Sequence, residues 1–140
     1  MGFWSSLFKK REEPVAVFHD EVLGDLKWSD DTEAWEGEHN GVVFELSYDD
    51  EKTPKIAVIN YARNIVLNDD WYTSALNKTI EIALRERPES QHKVIRELTI
   101  RNLCFFDHER LFIQFYIENN EPWWFAEATN GKVEFVGLDT

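Results

Sequence analysis

One hundred and forty residues suit a single domain, which at this length buries roughly two-thirds of its unfolded surface with no disulfide or metal to staple it. With 43% hydrophobic residues, among them 10 Phe, 6 Trp and 4 Tyr, the chain is neither disordered nor of low complexity. A formal charge of −12 disfavours nucleic acid and anionic membrane as general partners.

The charge is unevenly placed. Residues 1–11 hold Lys9, Lys10 and Arg11 and no acid, whereas residues 12–52 hold 14 acids against Lys27 and Lys52. The remainder is close to balanced. The single cysteine, Cys104, has no partner for an intramolecular bridge, which fits a reducing compartment. No apolar stretch approaches the ~20 residues of a membrane span, and no apolar core of a secretory signal follows the early bases. The expected location is the cytoplasm.

In chain order, residues 1–11 form a short basic segment with Phe3, Trp4, Leu7 and Phe8 on one helical face, followed by the bases. A helix so short is marginal alone. It is expected to dock on the domain or fray, with a membrane surface as the alternative. Residues 12–140 are expected to form one domain. Val15–Phe18 and Leu26–Trp28 read as strands, and the strongest local signal follows. Residues 33–39 and 42–48 flank Asn40-Gly41, a pair suited to a type I′ turn because both central residues need positive φ. That register sets Trp35, Phe44 and Leu46 on one side and Glu36, Glu38 and Glu45 on the other, with Glu36 opposite Glu45. Like charges across a strand pair are mildly destabilising, so that side is expected to be wet or neutralised.

Thr53-Pro54 reads as a helix start, with apolar residues at helical spacing through Leu67. Asn68-Asp69-Asp70 should break this helix and cap a second, which runs towards Pro88. Four strands are expected after that: 98–106, 111–117, 123–129 and 132–138, with a type I′ turn at Asn130-Gly131. An unbroken register across this turn would set Ala126 opposite Phe135 and Phe125 opposite Val136. Both faces of the pair would then be apolar and covered, one by the helices and the other by the first hairpin or a second subunit. The fold class expected is α+β: N-terminal antiparallel strands with a hairpin, a central helical hairpin, and a C-terminal four-stranded antiparallel meander.

The opening His19-Asp-Glu-Val-Leu-Gly-Asp-Leu26 resembles a group of bacterial domains of unknown function that begin with Asp-x-x-Leu/Phe-Gly-x-Leu. Leu67-Asn-Asp-Asp-Trp71 between two helices and the aromatic-rich terminal sheet are similar to members of the same group. The resemblance implies a bacterial origin and a fold, and no activity. In general look the chain is also similar to small acidic immunity proteins of bacterial toxin systems.

Chemistry is sparse. His19-Asp20, Glu38-His39 and Asp107-His108-Glu109 place imidazoles beside carboxylates, but none has the spacing of a metal site. Cys104 lies in an apolar strand, where a thiol is inert. Neither a nucleophile motif nor a phosphate-binding loop is present. No metal, cofactor or catalytic residue is expected. The candidate binding residues are Glu36, Glu38 and Glu45 with Trp35, Trp123 and Trp124, since an acidic hairpin beside tryptophans suits a basic protein. A non-enzymatic binding module of immunity or inhibitor type is the expected function. The alternatives are a homo-oligomeric module, a homodimer included, or a small hydrolase using a metal or a histidine with carboxylates. The hydrolase needs a histidine converging with two acids in a concave pocket.

Overall fold

The computed structural model describes residues 16–48, 53–116 and 123–139. In chain order the strands are β1 (Val17–Asp20), β2 (Gly24–Ser29), β3 (Ala34–His39) and β4 (Val42–Leu46). Helices α1 (Ile56–Val66), α2 (Asp69–Glu86) and the short α3 (His92–Ile95) follow. Strands β5 (Thr99–Phe105), β6 (Arg110–Tyr116), β7 (Trp123–Thr129) and β8 (Lys132–Asp139) complete the fold.

The eight strands form one sheet in sequence order, β1 to β8. This corrects the expectation of separate N-terminal strands and a C-terminal meander. Every neighbouring pair is antiparallel except β4 and β5, which run parallel, with Phe44 beside Leu103 and Glu45 beside Cys104. A parallel pair needs a long crossover, and residues 47–98 with their helices supply it. The first hairpin therefore extends the terminal sheet edge to edge. It covers neither face of it.

In the N-terminal turn, each of Asp20, Gly24 and Leu26 has a local structural role. Asp20 accepts hydrogen bonds from the backbone N–H groups of Val22 (3.1 Å) and Leu23 (2.9 Å). Gly24 has φ +83°, a conformation that glycine takes without steric cost, and Leu26 is fully buried. Asp20 is itself 3% exposed and is held by the Arg63 guanidinium of α1. These contacts pull its carboxyl below the usual carboxylate range, the Arg63 bond contributing most. One aspartate thus ties the first turn to the first helix.

Asn40 and Gly41 both have positive φ, and Trp35 pairs with Leu46, Glu36 with Glu45, and Gly37 with Phe44. Helix α1 starts later than Thr53-Pro54 suggests. Pro54 is bridged to Tyr48, and Lys55 donates its N–H to the Ser47 carbonyl, so the helix opens at Ile56. Asn68 caps α2, its side chain accepting the Trp71 N–H. The Asn130-Gly131 turn is clamped by both helices: the Gly131 N–H donates to the Tyr61 hydroxyl, and the Trp71 indole donates to the Gly131 carbonyl, each at 2.8 Å.

Behind that turn a bulge shifts the register by one residue. Ala126 pairs with Val136, Phe125 with Gly137, and Glu127 with Phe135. An unbroken ladder would have set Glu127 against Glu134, two like charges; the bulge parts them and turns Phe135 outward.

The core lies between the sheet and the helices. Leu26, Phe44, Leu103, Ile113, Ala126 and Val136 are at most 4% exposed and occupy the helix-side face across the sheet. Helix α1 packs on β4 and β5, and α2 on β5 and β8. Over β1–β3 the same face is closed by aromatics instead: Phe18 and Trp28 meet Trp35 edge-on, and Tyr48 meets Trp28.

Candidate functional site: the open face of the sheet

The second face of the sheet is the unusual surface. Strand pairing sets one unbroken row of residues across all eight strands: Val17, Lys27, Glu36, Glu45, Cys104, Phe112, Glu127 and Phe135. Alternation along each strand puts this row opposite the core. A parallel row adds Glu38, Val43, Asn102, Gln114 and Phe125. The face is acidic over β3 and β4, and over β6 to β8 it carries Phe112, Phe125 and Phe135 with the exposed Glu127 between Phe112 and Phe135.

In the acidic half, Asp25, Lys27, Glu36, Gly37, Glu38 and Val43 line a groove of about 330 Å³. Three carboxylates against one ammonium give it a negative potential, which His19, bonded to Asp25, reduces at that end. Glu45 stands at its border, half-buried. Burial, the stronger cause, and the facing Glu36 push its carboxyl above the ordinary range, while the Cys104 S–H, donating at 3.2 Å, opposes them. Burial and the nearby Glu45 together push the Cys104 thiol well up, so it stays protonated and serves as a donor rather than a nucleophile.

In the aromatic half, Phe112 packs between Phe106 (ring centroids 5.1 Å apart) and Phe125 (5.8 Å). Phe125 continues to Phe135 at 6.0 Å. Phe106 is 44% and Phe135 49% exposed. Gly137 makes room for this stripe, since a side chain there would collide with the Phe125 and Phe135 rings.

The structure keeps Glu36, Glu38 and Glu45 together on this face. It puts Trp35 and Trp124 on the other, where they are 6% and 4% exposed and pack in the core. Neither tryptophan can reach a partner on the glutamate face. The Trp123 side chain, residues 1–11 and the 49–52 loop lie outside the described residues. The aromatic share of the surface belongs instead to Phe106, Phe112, Phe125 and Phe135. The signal is in the alternation: Phe125 lies between Trp124 and Ala126, as the two apolar faces expected of the last hairpin require, and Phe112 between Leu111 and Ile113 extends the pattern to β6.

A second groove of about 330 Å³ lies between the β3–β4 turn and α2, lined by residues that include His39, Asp69, Tyr72, Thr73 and Ile100. It contributes one histidine and one carboxylate, short of the two acids a hydrolytic site requires. His19, bonded to Asp25 at 2.6 Å and raised in pKa by it, is 73% exposed at its side chain, and His108 is 70% exposed. His92 contacts the Arg87 carbonyl. Among the described residues no group of three or more His, Cys, Asp and Glu side chains is placed to share a metal ion. No helix among them is long and apolar enough to cross a membrane.

Comparison with protein-family models, with characterised proteins and with solved structures finds no match to this chain.

Proposed function

We propose that this protein is a non-enzymatic binding module whose open sheet face receives a basic protein segment bearing apolar side chains. The observation that carries this reading is the unbroken row from Glu36 and Glu45 to Phe112 and Phe135 on one face. Carboxylates would steer and orient a cationic partner, and the phenylalanines would supply the dehydrated contact that holds it. An inhibitor or immunity-type role in a bacterial cytoplasm suits that chemistry, since an acidic face can mask a basic enzyme surface.

The partner should be retained at low salt and released as the Debye length shrinks from ~10 Å at 0.1 M to ~3 Å at 1 M. Captured proteins should be compared between the wild-type chain and Glu36→Lys/Glu38→Lys/Glu45→Lys. Expected is a basic protein held by the wild type, lost from the variant, and slowed in association at least tenfold. The reading falls if nothing distinguishes the two chains, or if what they retain is insensitive to salt.

A further inference from the structure

The geometry points to a second binding site: the groove between the β3–β4 turn and α2 takes a small primary amine carried on a compact apolar body. This groove lies apart from the open face. Glu38 and Val43 face the open side, whereas the next pair, His39 and Val42, faces the helices.

The groove holds about 330 Å³, within the range of small-ligand sites. Val42, Tyr72, Leu76 and Ile100 supply its apolar wall, each of them partly buried and packed against the core. Asp69, Thr73 and Leu76 are spaced i, i+4 and i+7 on α2. One face of the helix therefore sets a carboxylate at one end of the groove and an isobutyl group ~10 Å further along the axis. The wall is held in place before any ligand arrives. The Tyr72 hydroxyl donates to the Val66 carbonyl at 2.8 Å, and Trp71 meets the Tyr72 ring edge-on at 5.1 Å. Burial and, second, Asp69 push the Tyr72 phenol up to about 12, so it stays a neutral donor to Val66.

Most of the hydrogen-bond donors around the groove are already engaged. Thr99 donates its hydroxyl to the Tyr116 carbonyl at 3.2 Å and can only accept from a ligand. Asn40 donates an amide N–H to His39 Nε2 at 3.2 Å, which leaves its Oδ1 as an acceptor and puts the imidazole proton on Nδ1. Protons remain to be given only by Thr73, His39 Nδ1 and the second Asn40 N–H. Asp69 is the one carboxylate in the described lining and His39 the one basic group. Beyond the N-terminal dipole of α2, no described residue bonds or pairs with the Asp69 side chain. An ammonium supplies what such a lining lacks, three N–H donors and a positive charge. A carboxylate or phosphate would instead face Asp69 and a set of acceptors. The net charge of −12 adds a general attraction for a cation. An aryl ring on a short arm suits a wall of one tyrosine and three aliphatic side chains.

The test titrates phenethylamine into the full chain at about 0.15 M salt, where the Debye length is ~8 Å, and follows the methyl signals of Val42, Leu76 and Ile100. Saturable shifts at all three, complete below ~10 mM, are expected for a ligand of this size. No saturable shift overturns the proposal, as do shifts centred on Phe112 and Phe135 of the open face. 3-Phenylpropionate, a carboxylate on the same skeleton, should bind at least tenfold more weakly; equal affinity overturns it. n-Butylamine has the stem of a lysine side chain and should bind at least threefold more weakly. If it binds equally well, the groove receives a protein lysine and the free-amine proposal falls. Asp69→Asn should weaken phenethylamine at least tenfold, and Thr73→Trp should block the groove. Both positions are exposed, so thermal melts should match the wild type, and unchanged affinity in either folded variant counts against the site. Glu36→Lys/Glu38→Lys/Glu45→Lys should leave amine affinity within about twofold, because that surface is screened from the groove. A tenfold loss there would place the amine on the open face and overturn the proposal. Amine binding and capture of a basic protein can thus fail separately.

Discussion

Phe44 and Glu45 are neighbours in the chain and stand on opposite faces of one strand, the first 1% exposed under helix α1, the second between Glu36 and a thiol. The same divergence repeats across the sheet. On the helix side, Leu103 and Ile113 are fully buried; on the other, Phe112 and Phe125 keep part of their surface and Phe135 keeps 49% of it. The lesson concerns what alternation encodes. A period of two assigns each side chain to a face, and only the helices decide which face becomes the core. Where the second face is also rich in large apolar groups, as over β6 to β8, partly exposed phenylalanines stand beside the exposed Glu127, and a purely solvated face would not require such side chains.

The contrast between the faces can be broken by paired truncations. Phe44→Ala should cost about 3–5 kcal/mol, the usual range for a large core side chain. Phe135→Ala should cost about 1 kcal/mol or less, because half of its surface is already wet. Denaturant melts of both variants decide the matter. Similar losses would mean that the two faces are equally closed, and the proposed binding surface would disappear with the contrast.

A smaller effect is expected at the turn that ties the sheet to α1. Asp20→Ala leaves two backbone donors and Arg63 without their carboxylate and should cost about 2–4 kcal/mol at neutral pH. Since the folded state holds this carboxyl below its ordinary range, its contribution is complete above the ordinary carboxylate pKa. It is lost as pH falls through the lowered value. Wild type and variant should therefore converge in strong acid. A gap that stays constant from pH 7 to pH 2 would deny Asp20 this role.

The smallest effect has the opposite sign. Glu45→Gln keeps an acceptor for the Cys104 S–H and removes the charge facing Glu36, so it should stabilise the protein by a few tenths to about 1 kcal/mol at pH 7. The carboxyl is held above its ordinary range, so the wild-type penalty grows as pH rises through the window between the unfolded and folded values and is absent below it. The gain of the variant should accordingly vanish in acid. A destabilised Glu45→Gln would mean that the acidic face is neutralised by a cation bound there.

Much of this was legible where the information is local. Asn40-Gly41 sets the register of its hairpin because the turn and the alternation agree, and Asn68 caps its helix three residues before a backbone donor it can reach. The seam between β4 and β5 was not legible, since nothing in Val42–Leu46 names a partner 59 residues away. The clue was negative: without that seam, a hairpin with one wet face and a meander with two apolar faces each leave a strand edge unpaired. The second hairpin failed for a subtler reason. Asn130-Gly131 gave the right turn, and the Glu127–Glu134 clash that an unbroken ladder would create is relieved only by a bulge. Of the candidate residues, the hairpin carboxylates share the open face, whereas Trp35 and Trp124 do not. Tryptophan's large area takes Trp35 and Trp124 into the core and leaves the outer stripe to phenylalanine.

The parallel seam also sets a timetable. Six of the seven strand pairings join neighbours in the chain through short links, whereas β4 meets β5 only after residues 47–98 have folded back over the sheet. Closing so long a loop is slow compared with forming hairpins or helices, because its entropy is lost before any pairing is gained. The two halves of the sheet should therefore fold first and be stitched together last, and the acidic and aromatic halves of the open face become one surface only at that final step.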